Sequence, residues 1–97
     1  MTRPVFWTPE AEATFENVIN YLERKWIEPE VINFIEATER VIGYISSHPR
    51  MFRKTNKRNV HEALVTPHNL LIYKVYPSRI DLLTFWDTRQ HPRRKRY

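Results

Sequence analysis

Arg89 and His91 stand two residues apart in the stretch Asp87-Thr88-Arg89-Gln90-His91-Pro92. Upstream, Arg50, Arg53, Lys54, Lys57 and Arg58 crowd residues 50–58 with no acidic residue among them. These residue types point to polyanion chemistry. An arginine fork grips phosphate oxygens at two points, and a histidine moves a proton near neutral pH. Cleavage of RNA by in-line attack of a 2′-hydroxyl needs both parts, cations for the charge on the phosphorane and a donor for the leaving oxygen. Arg53, Lys54, Lys57, Arg58, Arg93 and Arg94 are the candidate contacts to a nucleic acid or other target, and Arg89 and His91 the candidate catalytic pair. The plainer expectation is that Arg89 pairs with Asp87 or Asp81 and that His91 is an exposed tail residue.

Other chemistries are poorly served. A single Gly leaves no Gly-rich phosphate loop. The absence of Cys excludes a disulfide framework and a thiolate metal site. His48, His61, His68 and His91 lack the helical spacing of a zinc site, so no metal and no cofactor is expected. Ser46 and Ser47 both stand just before His48, but at a helix end, where a hydroxyl caps backbone groups more readily than it attacks a substrate.

The charge is uneven. Residues 1–49 hold four Lys/Arg against eight Asp/Glu, and residues 50–97 hold twelve against three, for a net charge of +5. A basic half attracts polyanions, or an acidic protein that covers it. The 97 residues fit one domain, 1–97, with a basic loop at 50–59 and a basic tail at 91–97 as its mobile parts. No apolar run reaches the roughly 18 residues of a membrane span. No secretory signal is visible at the start, so a cytoplasmic location is expected.

The elements that must position these groups read as α+β. Residues 4–8 form a short strand. Thr8-Pro9-Glu10 then opens a helix, with Thr8 as cap and Glu10 and Glu12 at the positive dipole end. Phe15, Val18, Ile19, Leu22 and Trp26 share one face of it. A second helix runs from Pro29 to the Ser46-Ser47-His48-Pro49 stop, with Ile32, Ile35, Val41 or Ile42, and Ile45 as its stripe. Residues 60–65, 70–76 and 80–86 are β-rich, and the links TPHN and PSR are turn-like, which predicts an antiparallel meander. On the middle strand Leu71, Tyr73 and Val75 share one side. The expected order is β-α-α-β-β-β, a two-helix hairpin on an antiparallel sheet, with spare apolar surface on the far face.

The opening VFWTPEAEATFENVINYLERKW, the hairpin ending in His48-Pro49, the LLIYKVY strand and the closing IDLLTFWDTRQHP resemble the RelE/ParE superfamily of toxins from type II toxin–antitoxin systems. The resemblance covers about residues 5–92. Its most specific parts are WTPEA at 7–11, the Tyr73 strand and the D-T-R-Q-x-P stretch at 87–92. It implies a plasmid-stabilisation-type, growth-inhibiting toxin neutralised by a cognate antitoxin, often acidic. It also implies one of two targets: ribosome-bound mRNA, cut without a metal by RelE-like members, or DNA gyrase, poisoned by ParE-like members.

RelE-like nucleases place basic residues on the first meander strand and an Arg three residues before the strand Tyr. Here those positions read His61, Ala63 and Leu70. The Arg at the end of the last strand is kept as Arg89, and His91 or Tyr97 stands where several nucleases carry a proton donor. Loss of the strand Arg removes a contact to the reacting phosphate, an effect of several kcal/mol in comparable oxyanion sites. The balance leans to the ParE-like branch, with a non-toxic, basic nucleic-acid-binding domain as the alternative.

Overall fold

Thr8 starts the first helix as its sequence suggests. Its hydroxyl accepts the Ala11 N–H at 3.1 Å and donates to the Leu82 carbonyl at 2.7 Å, so one side chain caps a helix and ties it to a distant strand. In the computed structural model, which describes residues 2–25 and 28–89, the chain runs β1 (Val5–Trp7), α1 (Pro9–Lys25), α2 (Glu28–Ser47), β2 (Arg53–Lys54), β3 (Val60–Thr66), β4 (Asn69–Val75) and β5 (Ile80–Asp87). The expected order is present, with one addition. The two-residue β2 pairs antiparallel with β3, Arg53 opposite Glu62 and Lys54 opposite His61, so the segment expected to be a loose basic loop is partly sheet.

The sheet order is β1-β5-β4-β3-β2, antiparallel except that β1 runs parallel to β5. Residues directly paired across the ladders share a face. Ala63, Leu71 and Phe85 form one such row and His61, Tyr73 and Leu82 the next, followed by Val75 with Ile80. All are buried, and they meet the helices. Leu82 and Phe85 lie an odd number of residues apart yet both face inward, because the ladder slips at Ile72/Tyr73 and leaves Leu83 as an extra residue. Beside this slip Thr14 of α1 accepts the Phe85 N–H at 2.9 Å.

α1 contributes Ala11, Phe15, Val18, Ile19 and Leu22 to the core, as its periodicity predicts; Trp26 lies outside the described residues. The stripe of α2 is Phe34, Thr38, Val41, Ile42 and Ile45 rather than one led by Ile32 and Ile35. Ile32 is 47% exposed. The helix turns so that the aromatic ring is buried. Thr38 enters the core because its hydroxyl is satisfied locally, donating to the Phe34 carbonyl at 2.8 Å. Trp7, Phe15, Phe34 and Phe85 form one ring cluster, with centroids 5.2–6.1 Å apart, where β1, both helices and β5 meet. On the far face Phe6 and Leu64 are more than half exposed, and Leu64, Leu70 and Trp86 form an apolar row.

Candidate functional site

Arg89 leaves the end of β5 and folds back on the strand. Its Nε and Nη2 donate to the two carboxylate oxygens of Asp87 at 3.0 and 2.9 Å, and its backbone N–H donates to the same carboxylate at 2.8 Å. The guanidinium also lies 5.9 Å from the centre of the Tyr21 ring on α1. Hydrogen bonds from Arg89 hold the Asp87 carboxyl below its ordinary range, against a smaller opposing effect of burial. A phosphate approaching Arg89 must compete with this intramolecular fork. Asp87, Arg89 and Tyr21 all line a cleft of about 860 Å³ between the helix hairpin and the β3–β4 turn. Both signs of charge reach its wall, Glu10, Glu30 and Glu36 as well as Arg40 and Arg89.

The basic segment is held elsewhere. Tyr73, wholly buried, donates its phenol to the Pro49 carbonyl at 2.6 Å. His61 stacks on Tyr73 with centroids 5.5 Å apart, and its Nδ1 lies 3.0 Å from the Phe52 carbonyl. Phe52 meets the other ring edge-on. These two hydrogen bonds hook the 49–52 turn onto the sheet and so fix where the cations begin. Arg53 lies 3.6 Å from Glu62, with its own side chain 83% exposed. Thr55 and Lys57 close the turn: the Thr55 N–H donates to the Val60 carbonyl, and the Val60 N–H to the Lys57 carbonyl. Lys54, Lys57 and Arg58 are exposed.

The structure does not bring Arg89 to this segment. Three inter-strand steps, about 14 Å, separate β2 from β5. Arg53 is level with Glu62, Ile72 and Thr84, whereas Arg89 lies past the end of β5 beside the β3–β4 turn, where the Thr88 N–H meets the His68 carbonyl. Candidate residues His91, Arg93, Arg94 and Tyr97 lie outside the described residues. Of the positions that matter for nuclease chemistry, His61 and Ala63 face the helices and are buried, and Leu70 is half-buried on the far face. Sequence reasoning missed Glu62 as the partner of Arg53 and Tyr21 as the neighbour of Arg89. Strand pairing and helix docking create both contacts, and no spacing in the sequence encodes either. Among the described residues no group of three or more His, Asp or Glu is placed to hold a metal ion, and no helix is long and apolar enough to cross a membrane.

By sequence, no family model and no curated protein matches the chain. By structure, it is similar to a chain from the chromosomal ParDE toxin–antitoxin system of P. aeruginosa, with a TM-score of 0.76 at 10% identity, over 89% of this chain and 96% of that one. It is also similar to YoeB from a Staphylococcus aureus YoeB dimer, with a TM-score of 0.61 at 11% identity, over 87% and 94%. A chain of the E. coli DinJ–YafQ toxin–antitoxin complex aligns with a TM-score of 0.60 at 10% identity, over 90% and 93%. Identities this low speak for architecture alone, and the architecture is the one the sequence resemblance implied: the chain has the fold of the RelE/ParE toxins.

Proposed function

We propose that the chain is the toxin of a type II toxin–antitoxin system, held inactive by an acidic antitoxin, and that it acts in the ParE-like manner on DNA gyrase. The observation that carries the reading is the fit to the ParDE chain, a TM-score of 0.76 against 0.61 and 0.60 for the YoeB and YafQ structures. The state of the nuclease positions supports it. Arg89 is forked to Asp87, His61 and Ala63 are buried against the helices, and Leu70 carries no charge. A phosphorane needs unpaired cations at the reacting phosphate, and these positions offer none. Recognition of a protein surface needs only complementary shape and charge.

The test is induction of the chain without any partner, followed by two assays on purified protein. Growth arrest is expected, with gyrase supercoiling inhibited and mRNA intact in a ribosome-dependent translation system. Codon-phased cuts in mRNA that vanish in Arg89→Ala would transfer the chain to the RelE-like branch. Normal growth on induction, with neither activity in vitro, would leave the non-toxic nucleic-acid-binding domain as the better reading.

A further inference from the structure

The cations of residues 50–58 are joined by two others that lie far from them in sequence. Asn59 makes the junction. Its φ of 62° puts it in the left-handed region, which Asn tolerates better than most residues. The backbone turns there, so that the Asn59 carbonyl accepts the Val75 N–H at 2.8 Å and Asn59 Oδ1 comes within 3.5 Å of Arg50 Nη1. Val60 then pairs with Lys74. Lys74 Nζ lies 5.2 Å and the Arg79 guanidinium 4.3 Å from the centre of the Tyr76 ring, and the Tyr76 N–H donates to the Arg79 carbonyl at 2.9 Å.

One end of the sheet therefore gathers Arg50, Lys54, Lys57, Arg58, Lys74 and Arg79. Asp81 engages only one guanidinium nitrogen of Arg79, Nε, at 3.0 Å. The eight acidic residues of the N-terminal half all fall on α1 and α2, and near this end Glu62 lies opposite Arg53 and Asp81 opposite Lys74, so the cations outnumber the carboxylates and leave a net positive potential.

We propose that this end of the sheet binds the phosphate backbone of duplex nucleic acid without reading its sequence. The cations suit phosphates. Stacking on single strands needs a free ring face, and a base on the face of Tyr76 that Lys74 or Arg79 meets would have to displace that cation. Contacts of this kind position a duplex and carry no base information. The proposal does not rest on the toxin reading, since a chain inactive on gyrase would still bind.

The experiment uses the full chain, titrated into a short labelled DNA duplex of arbitrary sequence and into one of its single strands. Duplex binding is expected to exceed single-strand binding and to be indifferent to sequence. The affinity is expected to fall with salt at a log–log slope of about −0.9 per phosphate engaged. Lys57→Glu with Arg58→Glu is expected to weaken binding by about tenfold or more at low salt and to reduce the slope by about two. Lys74→Gln with Arg79→Gln is expected to weaken it by a smaller factor, and Arg24→Glu with Lys25→Glu on α1 not at all. Circular dichroism checks that each variant is folded. The proposal falls if no duplex binding is seen at low salt, or if the single strand binds more tightly. It falls equally if Arg93→Glu with Arg94→Glu abolishes binding that Lys57→Glu with Arg58→Glu leaves intact.

Discussion

The phenol of Tyr73 and the carbonyl of Pro49 meet at 2.6 Å inside the protein. Removal of the hydroxyl leaves that carbonyl without its donor, so Tyr73→Phe is expected to cost about 1–3 kcal/mol. A lower midpoint in denaturant, with the slope unchanged, is the measurement that checks it. Burial raises the Tyr73 pKa above its ordinary 10.0, against a smaller opposing pull from Arg50. Above pH 10 the unfolded chain then loses a proton that the folded chain keeps. The unfolded state binds fewer protons there, so stability falls as pH rises through this window. A pH series of unfolding curves should show a shallower alkaline loss in Tyr73→Phe than in the parent. The sequence marks Tyr73 as sharing a strand side with Leu71 and Val75 and as part of the family resemblance, without naming a partner for its hydroxyl. Its partner lies 24 residues upstream, and only the packing of the 49–52 turn against β4 makes the pair.

At the scale of elements, Thr8 joins the start of α1 to β5. Thr8→Ala deletes both the cap on Ala11 and the bonds to the Leu82 and Leu83 carbonyls. The expected loss is about 1–2 kcal/mol, seen as a lower melting temperature. Gly43 offers the opposite case. It sits in α2 with nothing within 4 Å of where a β-carbon would stand. Gly43→Ala should raise stability by about 0.5–1 kcal/mol, because Gly loses more backbone freedom in a helix and meets no steric need here. Both helices and the three long strands are legible in the sequence, since capping, helical spacing and β-rich runs agree with one another. β2 is not: Arg53-Lys54 carries no apolar alternation and is a strand only because β3 offers it an edge. The stripe of α2 is hidden in the sequence for a related reason. Aliphatic spacing alone passes over Phe34, and a threonine such as Thr38 shows itself as a core residue only when its hydroxyl finds a partner.

Over the whole molecule, charge is uneven. The acidic residues of the first half ride on the helices, and of the second half's cations six gather at one end of the sheet and four fall at residues 93–96. The clustering of residues 50–58 is plain from the sequence. The addition of Lys74 and Arg79, and the distance of Arg89, follow from the strand order and cannot be counted along the chain. That order has β1 on an outer edge, held by Val5, Phe6 and Trp7 opposite Ile80, Asp81 and Leu82. Deletion of residues 2–7 should expose the edge of β5 and take Trp7 from the ring cluster, so gel filtration is expected to show self-association. The same pairing sets the order of events during synthesis. Among the described residues β1 has its strand partner in β5, so the finished sheet cannot assemble until residues 80–87 have cleared the ribosomal tunnel. A nascent chain stalled before that point exposes its aromatic cluster, and whatever inhibits or guards the protein meets a complete surface only after β5 has emerged.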